Sequence, residues 1–294
     1  MKTASKTLLA ALALGAPLAA QAAITLNVSF VDPGNQAAAY RTQITSHLDA
    51  AAAAWGSKIA EGGTLDVQVR ISSNLAYASG HSETSAWVGD IASMSLWQQG
   101  AAYKLATGID PNGDTPDVIM DLNPNYMANQ LWFDPNPAAR TAAVPNNKTD
   151  AMSVFIHEIG HALAFNGWSD HYTGATYGYG STWDQYVSYN GSKLFFNGPQ
   201  AMAVYGGPVP ITTGNNFHFG NPNGAGADLV NDLFNGWVFY NGQRYGITAL
   251  DEAVLADTGL ALAAPVPEPA QAGMLLLGLA GLAFTSRAKA RRLP

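Results

Sequence analysis

Three stretches of this sequence predict an α+β fold, with a twisted mixed sheet and two long helices in the N-terminal half and a loop-rich C-terminal half behind them. Residues 24–31 (ITLNVSFV) and 65–71 (LDVQVRI) alternate apolar and polar side chains, the period of a half-buried strand. Between them, 36–60 is alanine-rich and free of proline, and Tyr40, Ile44, Leu48 and Trp55 are spaced to share one helical face. Later, Val154, Phe155, Ile156, Ile159, Ala162, Leu163 and Phe165 make 151–165 apolar almost all round, as in a helix buried in a domain interior. With 294 residues, 48% hydrophobic and 12% charged, the chain is long enough to enclose such a core.

The punctuation between these stretches is consistent with that reading. Asp32-Pro33-Gly34-Asn35 ends the first strand as a turn, and Glu61-Gly62-Gly63 stops the first helix. Residues 72–108 are rich in Ser, Gly and Ala with scattered aromatics such as Trp87 and Trp97, and read as strands or surface loops. Asp110-Pro111-Asn112-Gly113-Asp114-Thr115-Pro116-Asp117 offers carboxylate and amide oxygens for a calcium ion, but without the spacing of a full EF-hand loop it reads more readily as a tight turn. A short strand at 118–122 and a long connecting loop at 123–148 follow. Thr149 and Asp150 supply N-cap side chains for the buried helix, and Asn166-Gly167 stops it.

Both ends carry processing patterns. Lys2 and Lys6, an apolar run through Leu14 and the small-residue site Ala20-Gln21-Ala22 make 1–22 a secretory signal peptide. At the other end, Pro267-Glu268-Pro269 precedes an apolar run from Ala270 to about Phe284 and then Arg287, Lys289, Arg291 and Arg292. This tail, 265–294, resembles the PEP-CTERM sorting signal of Gram-negative bacteria. The resemblance implies transient membrane contact, removal by an exosortase-type protease, and a final place outside the cell or on its surface. One domain, 23–264, remains, with an N-terminal half 23–167 and a C-terminal half 168–264. It holds 8 Lys or Arg against 20 Asp or Glu, a net charge of −12, which disfavours nucleic acid and anionic lipid as partners. The absence of cysteine excludes disulfides and thiolate ligands.

The chemistry is concentrated in His157-Glu158-Ile159-Gly160-His161, an H-E-x-x-H motif inside the buried helix. Residues four apart stand one above the other on a helix, so His157 and His161 can bring two imidazole nitrogens to one zinc ion. Glu158 then points beside the metal, where its carboxylate can take a proton from water. A catalytic zinc site needs a third protein ligand. The candidates are His218, set between Phe217 and Phe219; Asp170 and His171, just beyond the helix stop; Asp184; and Glu252.

The order of a His-Glu helix, a long insertion, a distant histidine in Asn216-Phe217-His218-Phe219-Gly220, and a closing helix ending in Asp257-Thr258-Gly259 resembles the leishmanolysin-like metallopeptidases of the zincin group. That resemblance implies a zincin-like fold with the zinc cleft between its halves, His218 as third ligand, and a secreted zinc endopeptidase acting on protein or peptide with Glu158 as its base. It also implies an edge strand that pairs with extended substrate, for which 118–122 is the candidate, although these residues read equally as an ordinary core strand. The sequence departs from the relatives in two places. The long metzincin motif would have glycine at 164 and histidine at 167, where this chain has Ala164 and Gly167. The turn beneath the metal has no methionine between His218 and Gly259, which leaves Leu229, Val230 or Leu233 to fill its apolar place. Tyr172, Tyr177, Tyr179 and Tyr240 are all open as stabilisers of a developing oxyanion. Two other functions fit the sequence: a zincin-fold surface or matrix protein without useful catalysis, and a carbohydrate-associated matrix protein, suggested by 7 Trp and 12 Tyr.

Overall fold

A computed structural model describes residues 23–264; the readings of 1–22 as a signal peptide and of 265–294 as a sorting tail lie outside the described residues. The two alternating segments form parallel neighbours, β1 (Ile24–Val31) and β2 (Gly63–Ile71), connected through α1 (Arg41–Gly56). The helix starts at Arg41 rather than at 36. Asp32 causes the delay, because its carboxylate accepts the N–H groups of Gln36 and Ala37 and holds the intervening chain in turns.

Residues 72–108 prove largely regular, with β3 (Ala78–Ser82), β4 (Ser85–Ile91), β5 (Met94–Gln99) and α2 (Gly100–Thr107), which ends at a left-handed Gly108. The main sheet is completed by β6 (Val118–Leu122) in the order β1-β2-β6-β3, with β3 alone antiparallel to its neighbour. Strand 118–122 is therefore interior, not an edge: four of its five residues are buried, as expected of a strand covered on both faces. The edge is β3.

In the 110–117 loop, an ammonium lies between two of the carboxylates. Lys104 Nζ lies 2.6 Å from Asp110 Oδ2 and 2.8 Å from Asp117 Oδ2, while Asp110 Oδ1 accepts the N–H groups of Asn112 and Gly113. One oxygen of each of these two carboxylates is thus paired with the ammonium.

The connection to the second long helix is also shorter than its sequence suggests. It contains α3 (Pro124–Asn129), capped by the Asn123 side chain, and a two-residue pairing of β7 (Leu131–Trp132) with β8 (Thr149–Asp150). Then comes α4 (Ala151–Leu163), with Asp150 as N-cap accepting from Ser153 N–H, and every residue of it is buried. It packs between α1 and β3. Trp55, fully buried on α1, donates its indole N–H to the Ile156 carbonyl at 2.8 Å and so fixes one long helix on the other.

The C-terminal half holds more structure than the loop-rich reading allows. After β9 (Tyr179–Ser181), which pairs parallel to β5, come β10 (Val187–Tyr189), β11 (Leu194–Phe196), α5 (Pro199–Tyr205), β12 (Val209–Thr212) and β13 (Asn215–Phe219). Strands β10 to β13 form an antiparallel sheet in sequence order. Each is three to five residues long, too short for period-two alternation to be recognised. The described residues thus form a mixed α+β domain, and none of their helices is long and apolar enough to cross a membrane.

The closing helix, α6 (Ala249–Asp257), opens on a capping box between Thr248 and Asp251. Asp251 is buried beside Asp232. Burial first, and the neighbouring Asp232 charge second, push its carboxyl well above the usual range, and burial raises Asp232 too. The folded pair keeps a proton that the unfolded chain has already released, so this contribution to stability is complete below the unfolded carboxyl pKa of about 3.9 and is lost as pH rises through the raised folded value. Asp251→Asn should flatten that decline. Urea denaturation midpoints compared at pH 5 and pH 8 check it, and an equally steep loss in the variant would refute the shared proton.

Candidate metal centre

Three imidazoles meet at one point. His157 and His161 stand one turn apart on α4, and β13 brings in His218. Their Nε2 atoms are 2.9 Å (His157 to His161), 3.0 Å (His157 to His218) and 3.1 Å (His161 to His218) apart. The opposite ring nitrogens explain the orientation: His157 Nδ1 is 2.8 Å from the Leu233 carbonyl and His161 Nδ1 is 2.6 Å from the Phe165 carbonyl. A carbonyl only accepts, so each Nδ1 carries the proton and each Nε2 turns a lone pair toward the others. Converging lone pairs repel unless a cation lies between them. Zn–N bonds of about 2.0–2.1 Å in tetrahedral geometry would separate the nitrogens by about 3.3 Å, so the triangle is within a few tenths of an ångström of one that holds an ion. Among the described residues this is the one group of three or more His, Asp or Glu side chains placed to share a metal.

The electrostatics favour neutral ligands. Burial holds His161 down to about 4, and burial together with the neighbouring imidazoles holds His157 and His218 well below the ordinary imidazole range. Protons therefore compete poorly for these nitrogens at neutral pH. Glu158, one residue after the first histidine, is buried on the same helix; in the field of the protein alone, burial pushes its carboxyl up to about 8, opposed by a hydrogen bond from Gly80 N–H. That bond requires β3 to lie hard against α4. A Cβ on Gly80 would come within 2.2 Å of the Glu158 carbonyl oxygen, so only glycine fits.

Beneath the imidazoles lies Phe234. Its ring stacks on His157 (centroids 4.7 Å apart) and on Phe165 (3.5 Å), and meets His161 edge-on at 5.4 Å. The apolar place expected for Leu229, Val230 or Leu233 therefore belongs to Phe234, while Leu233 contributes its carbonyl. Gly160 of the motif makes room for this ring, since a Cβ there would stand 2.3 Å from Phe234 Cζ. The turn is sewn to the strand carrying His218 by Phe219 N–H to the Phe234 carbonyl and Gly236 N–H to the Phe219 carbonyl.

The other candidate ligands serve elsewhere. Asp170 accepts the N–H groups of Tyr172 and Thr173 in an exposed turn. His171 is exposed and packs against Phe217, and Glu252 pairs with Lys58 at 2.7 Å. Asp184 is buried, but its oxygens accept the N–H groups of Trp168, Ser169 and Ser181, which ties the chain after the helix stop to β9.

The three histidines and Glu158 line a cleft of about 700 Å³ between β3 and α4 on one side and residues 235–241 on the other. Tyr172, Tyr177, Tyr179 and Tyr240 are exposed and none of them lines it; the tyrosines that do are Tyr77 and Tyr126. Sequence reasoning missed these two, and it missed Gly80 and Phe234 as well. Of the four, Phe234 alone carried a legible signal, as an aromatic residue beside the expected turn. Comparison with protein-family models, with curated proteins and with solved structures returned no match.

Proposed function

We propose that this chain is a secreted zinc endopeptidase of zincin-like fold, in which His157, His161 and His218 hold the metal and Glu158 is the base. The observation that carries this reading is the convergence of three neutral imidazole nitrogens, two of them with tautomers set by carbonyls, beside a buried carboxylate in an open cleft. A zinc ion there supplies Lewis acidity for the scissile carbonyl and acidifies water. Glu158 takes the proton from the attacking water and passes it to the leaving amine. The Leu233 and Phe165 carbonyls keep His157 and His161 turned toward the metal. As an edge strand, β3 leaves main-chain groups free to align an extended peptide. Secretion rests on the pattern of residues 1–22, and mass spectrometry of extracellular protein beginning near Ala23 tests it.

Elemental analysis of purified protein, paired with hydrolysis of an unfolded protein substrate before and after chelation, tests the activity. His218→Ala should lose zinc by at least an order of magnitude in affinity, a loss typical of disrupting a metal-site contact. His171→Ala should retain it. Unaltered zinc content in His218→Ala would overturn the ligand set, and zinc-loaded protein without chelator-sensitive hydrolysis would overturn the enzymatic reading.

A further inference from the structure

The cleft continues past the imidazoles toward the N-terminal end of α4, and its walls there differ in kind from those at the metal. Val154 lies one turn before His157 and Glu158 on the same helix face, and Phe239 reaches in from the opposite side with its ring 5.3 Å from that of His157. Between these apolar walls the lining is polar and uncharged: Tyr126, Gln130, Thr149 and Asn241. Around the whole cleft, Glu158 is the one carboxylate among the described lining residues, and no lysine or arginine joins it.

The hydrogen bonding of this recess has a direction. Thr149 Oγ donates to Asn241 Oδ1 at 3.0 Å, which occupies the amide oxygen and leaves the amino group of this cleft-lining residue with no hydrogen-bond partner among the described residues. The Tyr126 hydroxyl lies beside Thr149 and within the field of Glu158. Its ring is held by Tyr77, centroids 5.2 Å apart. The recess therefore offers a donor at Asn241 and a phenolic oxygen at Tyr126, with the Gln130 carboxamide at its border. A carboxamide matches that arrangement, since its carbonyl can accept from Asn241 while its amino group donates to Tyr126. An aliphatic side chain would strip water from both groups and return nothing, an anionic one would find no lysine or arginine in the lining, and a cationic one would meet only Glu158, whose carboxylate is engaged with the attacking water and the leaving amine.

Glu158 also fixes which substrate residue enters. It delivers the proton to the leaving amine, so the residue bearing that amine lies beside Glu158, next to the recess. Resting on the peptidase reading, we propose that this protein selects peptides with glutamine or asparagine immediately after the scissile bond, and that Asn241, oriented by Thr149, and Tyr126 are the selecting residues.

The test is a set of fluorogenic peptides identical except for Gln, Asn, Leu, Arg or Glu at that position, cleaved by the full secreted protein loaded with zinc. Gln or Asn should exceed Leu, Arg and Glu in kcat/KM by roughly tenfold or more, as expected where a site's polar groups are otherwise left unpaired. Asn241→Leu should bring Leu level with or above Gln. Thr149→Val, which frees the amide to turn, should narrow the ratio and serves as a second readout if Asn241→Leu does not fold. Leu, Arg or Glu cleaved as fast as Gln by the native protein, or a ratio unmoved in both variants, would overturn the proposal while leaving the peptidase intact. Failure of the zinc-loaded protein to cleave any member would remove the peptidase reading, and this one with it.

Discussion

Glu158→Gln is expected to bind zinc as the native protein does and to hydrolyse unfolded protein slower by roughly two to four orders of magnitude, the usual worth of a positioned general base. The amide keeps the shape of the side chain and can still accept from Gly80 N–H, but it cannot take up a proton. Stability should not fall. Burial, outweighing the Gly80 N–H bond, pushes the native carboxyl up to about 8, so a neutral isostere removes a desolvation cost that the native chain bears in the metal-free state. Zinc content, turnover and urea midpoint measured on one preparation separate these expectations, and near-native turnover would take Glu158 out of the mechanism.

Gly80→Ala should damage both fold and activity although it adds one methyl group. The new Cβ would stand 2.2 Å from the Glu158 carbonyl oxygen and 2.7 Å from its carbonyl carbon, and backbone in a buried helix cannot yield as a side-chain tip can. The edge strand must therefore lift from α4, losing its N–H bond to the Glu158 carboxylate and misplacing the cleft wall. We expect destabilisation at or above the upper end of the roughly 1–3 kcal/mol typical of overpacking, and a fall in kcat/KM larger than any change in zinc affinity. A variant with native midpoint and native turnover would mean that β3 and α4 do not touch as described.

These two residues show what was legible in the sequence and what was not. Glu158 and its flanking histidines belong to a local motif on one helix, whose geometry fixes their relation whatever surrounds it. The first strands, helix α1 and the buried α4 were readable for the same reason, since each repeats a hydrophobic period over enough residues to stand out. His218 was reached through order along the chain, by resemblance, and not through any local pattern. Gly80 lay in a Ser-, Gly- and Ala-rich stretch where nothing distinguishes a glycine in a turn from one pressed against a helix. The sheet β10 to β13 was hidden by strands of three to five residues, and whether β6 lay at an edge or in the core stayed open because the sheet order depends on where β3 returns, which is a tertiary fact. Phe234 was not legible as the turn residue because the resemblance points to a flexible aliphatic residue there, whereas this chain uses a flat ring clamped between His157 and Phe165.

A metal ion held by the three imidazoles would act as a cross-link within the chain. His161 and His218 are 57 residues apart in sequence, one on the helix that anchors the main sheet and the other on a strand of the second sheet. In a chain with no cysteine, an ion held at both points closes a loop that no disulfide can close. A permanent link of that span restricts the unfolded chain by about 4 kcal/mol in loop entropy, and a metal bound with comparable strength confers a similar restriction for as long as it stays. Loading and folding are then one equilibrium. On the proposed reading, a chain exported unfolded would carry its two halves unlinked, and the ion that activates water would also set the staple between them.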